Sequence, residues 1–561
     1  MRRRRRFYAR AILLIAVMFV LVFIPWVMMY RGPEKPLPIA EPPILVPDFS
    51  IPVGHLRPPL PYRIVSFHRG RADKNLIKLA AQLGFNGVQF QIEGSTERGV
   101  QAFALRDKQE RLIEYCHKLG MKVTVWVHEM SDIPKHLEPV SADNEKLFAT
   151  LDERYERMLT KTLPHIDGLV LTVVETQIRA TDAKVLERLA KLLAAKCAKH
   201  NKSLHVRTFV WYPEEFKDVM AAIERLAPDQ IIMSKVVPQD WQMRGVNASE
   251  IGAVGNRPQI VEYDACGEYF HRSNVANCMV ELLKRQFDHG LSKGVQGICV
   301  RVDRGDHSVL FEPNEVNLWA LGLMAAGVTN KTEDIWTMWS NWRYGPTAGP
   351  LVTKALKPTS QVVTEITSIG PFTFGDTRKT PPLPDDEDIF LMNWQNWRWD
   401  ARYLPTYYAA DRGDAAFITQ VAKEKQAAAK AAEDSLANLE LARPYLPPVE
   451  YEILYTRLLT NKTQLAAQSA MQLAALYHHA MQHATTEPQR KSWQNAMQRE
   501  INRVRAVAET LGREPMLVEH LARKWPLGVP TGITQKALED WATEADTVVT
   551  GTHVPRSSLR K

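Results

Sequence analysis

Glu175, Lys235, Asp240 and Glu268 each stand at or just past the end of a short apolar run, and as a set they could carry acid–base chemistry. A glutamic acid among apolar neighbours has its pKa raised and can protonate a departing oxygen, while a second carboxylate activates water. Glu175 follows Leu169-Val170-Leu171-Thr172-Val173-Val174. Glu268 lies in Glu262-Tyr263-Asp264-Ala265-Cys266-Gly267-Glu268-Tyr269, where Glu262 and Asp264 compete for the same role. Those three acids share parity only while a strand stays regular, and Gly267 can end that regularity. Lys235 and Arg207 add positive charge, and an arginine can hold a carboxylate with two N–H groups at once. Taken singly, Glu175 also fits an exposed loop and Lys235 a surface turn beside Pro238; the set points to a polar or acidic substrate.

Further polar residues follow the other apolar runs. His68, His128 and Arg301 are candidate binding residues, and Trp211 and Trp241 could stack on a pyranose ring or pack at a rim. His68, His128 and Glu129 have no HxH or HExxH spacing, so contact with substrate or a structural role is favoured over metal ligation. Arg301 and Arg304 could equally pair with Asp303 and Asp306. Neither a metal nor a cofactor is implied.

The elements that must position these residues are eight apolar segments: Arg63–Phe67, Gly87–Gln91, Lys122–Val127, Gly168–Val173, Leu204–Val210, Gln230–Ser234, Gln259–Ala265 and Gln296–Val300. Helix-period stretches such as Val185-Leu186-Leu189-Leu192-Leu193 lie between them, and Gly84 and Gly120 suit helix C-terminal caps. This β-then-α rhythm predicts an α/β fold, an eight-stranded (β/α)8 TIM barrel over residues 61–346, with its chemistry where the strands end. Residues 347–414 read as an irregular connection. Residues 415–547 have the Ala, Leu, Gln, Glu and Lys content of a helical bundle, and 548–561 read as a basic tail.

The chain has 561 residues, enough for two or three domains, with ordinary hydrophobic (45%) and charged (24%) content. Net charge is +8, yet no basic stripe interleaves with aromatics, so nucleic acid is not an expected partner. Cys116, Cys197, Cys266, Cys278 and Cys299 lack metal-ligand spacing and read as small buried apolar residues. At the amino terminus the basic segment 1–10 contains Arg2–Arg6 and precedes an apolar run, Ala11–Tyr30, long enough to span a bilayer. Charge before the run predicts a single-pass signal-anchor with the N-terminus cytoplasmic and the body on the periplasmic or extracellular side. A cleaved signal peptide is the rival reading. Residues 31–60 are proline-rich and read as a stiff linker, part of which could lie against the barrel.

Residues 75–345 resemble the catalytic barrel of glycoside hydrolase family 67, the α-glucuronidases. Val206-Arg207-Thr208-Phe209-Val210-Trp211 is similar to that family's W-R-A-F-V-Y strand. Lys235-Val236-Val237-Pro238-Gln239-Asp240-Trp241-Gln242 matches its K-N-G-P-I-D-F-Q loop at Lys, Pro, Asp and Gln. Glu262–Tyr269 matches E-F-Q-I-T-Q-E-Y at Glu262, Glu268 and Tyr269, and Asn317–Gly322 is similar to A-N-x-Y-x-F-G. The resemblance implies an inverting glycosidase in which Glu175 is the general acid and Asp240 and Glu268 activate water. Arg207 and Lys235 would bind the substrate, an oligo- or polysaccharide carrying an acidic or polar sugar. The family's K-A-N-S-E-G-Q-P-G-P around its acid is here Leu171-Thr172-Val173-Val174-Glu175-Thr176-Gln177. A second enzyme reading is a retaining barrel with Glu268 as nucleophile and Glu175 as acid/base, and that departure motivates a third, a barrel that binds glycan without cleaving it.

Overall fold

The structure, a computed structural model, describes residues 45–49, 54–68, 73–91, 107–128, 135–172, 182–210, 213–238, 241, 243–267, 275–304, 307–373, 383–384, 401–513 and 533–552. The chain divides into two units, Met1–Pro47 and Asp48–Lys561, and the barrel and helical region both belong to the second.

Eight strands form a closed parallel barrel: β1 (Tyr62–Phe67), β2 (Gly87–Gln91), β3 (Lys122–His128), β4 (Gly168–Thr172), β5 (Ser203–Arg207), β6 (Ile231–Lys235), β7 (Gln259–Asp264) and β8 (Gly297–Arg301). Each strand pairs with the next, and β8 closes on β1 with Cys299 opposite Ile64. Every expected segment overlaps a barrel strand, with ends displaced by a residue or two in most. The largest difference is at β5, which ends at Arg207 rather than Val210, so that Thr208, Phe209 and Val210 already belong to the mouth.

Register separates an inner set of side chains from an outer one. Ile64, Trp126, Val170, Met233, Ile260 and Cys299 meet inside the barrel, and alternate residues such as Val65, Val125 and Val261 are buried on the outer face of the sheet. Glycines begin several strands at the other end of this interior. A Cβ on Gly168 would lie 2.3 Å from Ser203 Oγ, and one on Gly297 would lie 2.4 Å from Tyr62 Cβ. The narrow end therefore closes on hydrogen-only positions.

The surrounding helices are α1 (Lys74–Gln82), α2 (Asp107–Lys118), α3 (Glu145–Arg157), α4 (Ala183–Lys199), α5 (Pro213–Glu224), α6 (Val280–Ser292) and α7 (Glu315–Ala325). Local chemistry explains their limits. In α4 the Asp182 side chain accepts from Lys184 N at the start, Lys196 and Lys199 sit in the last turn, and Val185, Leu186, Leu189, Leu193 and Cys197 form the buried stripe. No helix lies between β6 and β7 among the described residues. That connection is irregular and is tied down by Ala248 N donating to Val236 O at 3.1 Å.

Beyond the barrel, α8 (Thr332–Leu356) and α9 (Thr359–Thr367) make part of the expected irregular connection helical. Pro346 fits because the helix breaks at Gly345, where φ is 78° and ψ 165°, and proline is tolerated in the first turn after such a break. After α10 (Leu404–Asp411) come α11 (Ala415–Ala442), α12 (Pro448–Gln482), α13 (Glu487–Arg513) and α14 (Gln535–Val549). Ala467, Ala470, Met471 and Ala474 of α12 pack with Met497, Ile501 and Val504 of α13 and Leu538, Trp541 and Ala545 of α14. Small residues at the crossings let these helices approach closely.

Residues 54–60 of the proline-rich segment lie against the barrel: Leu56 N donates to Gly327 O at 2.7 Å and Leu60 N to Ala325 O at 2.9 Å. The membrane-anchored, exported placement, with a lipid bilayer as partner, is corrected. No helix among the described residues is long and apolar enough to cross a membrane, since even the long α12 interleaves Arg457, Asn461, Gln464 and Gln468 with its apolar positions. The run Ala11–Tyr30 lies outside the described residues.

Candidate active site

The inner register positions turn from apolar to polar as the strands reach the mouth. Ser203, His205 and Arg207 share parity on β5, Ile231, Met233 and Lys235 on β6, Ile260, Glu262 and Asp264 on β7, and Gly297, Cys299 and Arg301 on β8. Register pairs Lys235 with Glu262, Asp264 with Arg301, Arg301 with Ser66, and Ser66 with Gln89. A charged layer thus caps the apolar one, and Arg207, Lys235, Glu262, Asp264 and Arg301 are all at most 5% exposed.

Arg207 is the centre of this layer. Its Nε donates to Glu262 Oε2 at 2.5 Å, with both side chains nearly inaccessible. Its guanidinium lies over the Trp126 ring at 4.3 Å and the Phe209 ring at 4.8 Å. Arg301 reaches the same Trp126 ring at 5.2 Å. Lys235 Nζ sits 3.7 Å from the centre of the Phe209 ring and 4.9 Å from that of Trp241. Trp241 holds a left-handed backbone conformation, φ 44°, which costs a bulky residue energy and is found where a loop is fixed by its surroundings. The aromatic set gives three cations a low-dielectric wall, which strengthens any charge they meet.

Two further carboxylates of the mouth each give one oxygen to the backbone. Asp264 Oδ1 accepts from Cys266 N at 3.0 Å and Gly267 N at 3.1 Å, closing the turn after β7. Asp303 Oδ1 accepts from His68 N at 2.6 Å and so joins the ends of β1 and β8. By contrast, Arg207 Nη1, Gln89 Oε1, Gln91 Oε1 and Thr172 Oγ1 are buried with no hydrogen-bond partner among the described residues. A buried polar group without a partner costs about 1–3 kcal/mol, so these atoms are suited to a polar ligand or water.

Beneath and beside the mouth, burial dominates the titrations. His205, inside the barrel facing Tyr62, is pushed down to about 4 by burial. Glu250, which accepts from Thr208 Oγ1 at 3.1 Å just outside β5, is pushed up to about 7. All five cysteines are buried free thiols, and burial raises Cys116, Cys197 and Cys278 to about 12.

The structure thus brings together Arg207, Lys235 and Arg301, with His68 buried at the end of β1. His128 is the last residue of β3, opposite Thr172. Glu175, Asp240, Glu268 and Trp211 lie outside the described residues. Trp126, Gln89, Gln91 and Thr172 are not among the residues that sequence reasoning singles out. Strand parity is the signal that could find them: each stands two residues from another inward position, but Trp126 and Thr172 sit within apolar runs that hide it.

No protein-family model matches the sequence, and no curated protein matches it. Solved structures do. A GH138 enzyme targeting pectin rhamnogalacturonan II is similar at a TM-score of 0.59 and 10% identity, over 88% of this chain and 67% of its own. A family GH115 4-O-methyl-α-glucuronidase with specificity for decorated arabinogalactans follows at TM-score 0.47 and 12% identity, over 85% of this chain and 62% of its own. A glycoside hydrolase family 30 subfamily 8 xylanase from Clostridium acetobutylicum gives TM-score 0.34 at 10% identity, over 49% of this chain and 73% of its own. None of these three is a family 67 enzyme. At such identities the likeness to the GH138 structure concerns the fold: an eight-stranded parallel barrel joined to further structure over most of this chain.

Proposed function

We propose that this chain is a glycoside hydrolase that cleaves a glycosidic bond of an acidic glycan at the barrel mouth. The observation that carries the reading is Arg207. It is fully buried on the inner face, fixed by Glu262 through Nε alone, and presents Nη1 with no partner among the described residues. A sugar carboxylate fits that edge, with Lys235 and Arg301 on neighbouring inner positions and Trp126 as a platform. The fold likeness to a glycoside hydrolase that targets a pectin supports the same class. Glu175 is proposed as general acid, with Asp240 and Glu268 activating water from the opposite face. Inversion requires an acid-to-base carboxyl gap of about 6.5–9.5 Å, and a nucleophilic Glu268 a gap of about 5–5.5 Å.

The test is hydrolysis of a panel of oligosaccharides bearing uronic acids, each beside its neutral counterpart. Release of the acidic sugar is expected, with Glu175→Gln and Asp240→Asn each lowering turnover by orders of magnitude in folded protein. Proton NMR of the first-formed anomer distinguishes inversion from retention. Tight glycan binding with no sugar released across the panel would show a binding module instead.

A further inference from the structure

The segment that joins β7 to α6 is held at both ends by buried asparagines, and one of them comes from the helical region. Asn317 Nδ2 donates to Ala265 O at 3.0 Å and to Asn277 O at 2.8 Å, so a single side chain bridges the departure and the return of the segment. Its Oδ1 accepts from Met279 N at 2.6 Å. Asn314 makes a parallel bridge: its Nδ2 donates to Cys266 O at 3.2 Å and its Oδ1 accepts from Asn277 N at 2.7 Å. Both belong to the start of α7. Asn461, in the middle of α12, makes the third clasp, with Oδ1 accepting from Ala276 N at 3.1 Å and Nδ2 donating to Ala276 O at 2.7 Å. All three asparagines are at most 2% exposed.

Asn461 is not isolated on its helix. Glu450, Arg457 and Asn461 are spaced seven and four residues apart, which places them on one stripe. Glu450 takes Arg343 Nη2 at 2.7 and 2.8 Å, and Arg457 pairs with Glu312, shortly before α7, at 2.7 Å. The stripe therefore grips the stretch after β8 through Arg457 and the stretch after β7 through Asn461. Those are two adjacent parts of the face where a barrel places its chemistry.

We infer that Asn461 is a positioning residue: from the C-terminal helical region it fixes, at Ala276, the β7-to-α6 segment that in sequence carries Glu268. The inference rests on the glycosidase reading only for its catalytic consequence; the mechanical coupling stands apart from it. A carboxamide accepts and donates at once through two separate atoms, which an apolar isostere such as leucine cannot do. Removing it leaves the Ala276 N–H and C=O buried without partners.

Hydrogen exchange on the full-length chain tests the coupling. Asn461→Leu, with Asn461→Ser as the milder variant should the first not fold, is expected to speed exchange about tenfold or more in peptides covering 265–279. Strands β1 to β4 should stay unchanged, and Arg457→Ala should not reproduce the pattern at 265–279. Unchanged exchange at 265–279, or the same rise with Arg457→Ala, overturns the inference and leaves Asn461 as a docking contact. On a cleaved substrate, kcat should fall about 10²-fold at nearly constant KM, as misplacement by about an ångström does. In a Glu268→Gln background the loss should shrink, because both changes act on one segment; full multiplication of the two losses would count against it. Wild-type protein that hydrolyses nothing while exchange still responds at 265–279 rejects the glycosidase reading and keeps the positioning role.

Discussion

Arg207 and Glu262 face each other across β6, which separates their strands, and meet at 2.5 Å in the barrel interior. The pair orients the guanidinium so that its planar edge is turned by one hydrogen bond and held flat by the Trp126 and Phe209 rings. Lysine cannot reproduce this, because an ammonium has no fork and no plane to stack. Arg207→Lys is therefore expected to raise KM for a uronate-bearing substrate by about tenfold or more, with a much smaller change for the methyl ester. Equal losses on the acid and its ester would place Arg207 outside carboxylate recognition.

Trp126 serves two cations at once, Arg207 and Arg301, and belongs to the apolar layer below them. Trp126→Leu keeps most of that layer filled but removes the ring face. Each cation–π contact in a desolvated site is worth about 0.5–2 kcal/mol. The expected result is a weaker grip on acidic substrate, seen as a higher Kd by titration calorimetry or a higher KM from initial rates, with thermal stability falling only modestly. A variant that melts many degrees lower while KM stays put would make Trp126 a packing residue and nothing more.

The strands were legible in the sequence because a parallel barrel buries both faces and so demands near-continuous apolar runs. Lys235 and Arg301 stood out because a charge just past such a run has to face the interior or a mouth, and Arg207 stood out through the resemblance of Val206–Trp211 to a family 67 strand. Trp126 and Thr172 did not stand out, since in a run of Val and Leu nothing marks which parity points inward until one register pair is known. Glu262 was legible only as a competitor of Glu268, because its partner Arg207 lies 55 residues away and pairing is a tertiary fact. Asn314 and Asn461 left no signal, since each looks like a polar residue near or on a helix; Asn317 was visible only as the asparagine of the stretch similar to A-N-x-Y-x-F-G, with nothing to mark it as a clasp. A helical region rich in Ala and Gln was readable as helix, but not that one of its stripes would hold the barrel.

Glu250 makes stability depend on pH in a definite direction. Burial raises its carboxyl from 4.5 to about 7, so the folded chain keeps a proton there that the unfolded chain has lost. Folding is therefore favoured by this group below about 4.5, and that contribution, about 3 kcal/mol at most, is lost as pH rises through about 7. Glu250→Gln holds the neutral form and can still accept from Thr208. The difference in denaturation midpoint between variant and wild type should grow in the variant's favour from pH 5 to pH 8. A difference that does not change with pH would mean that Glu250 titrates as an ordinary carboxyl.

Gly297 tests how the narrow end of the barrel closes. Its Cα stands opposite Tyr62 in register, and a Cβ there would lie 2.4 Å from Tyr62 Cβ and 2.8 Å from Tyr62 O. The Tyr62 carbonyl is backbone and cannot swing aside, so a methyl group must push β1 and β8 apart at the seam that closes the sheet. Overpacking of this kind costs about 1–3 kcal/mol, and more where backbone must move. Gly120 is the control for the change of residue itself, because a methyl group added there would meet nothing within 4 Å, though its φ of 74° brings a strain of its own. Gly297→Ala should unfold at lower denaturant than Gly120→Ala, and its loss should be partly recovered by Tyr62→Gly, which removes the opposing Cβ but not the carbonyl. Full recovery would show that the side chain alone limits the seam. No recovery would assign the limit to the backbone, the tighter constraint on how a parallel barrel can shut.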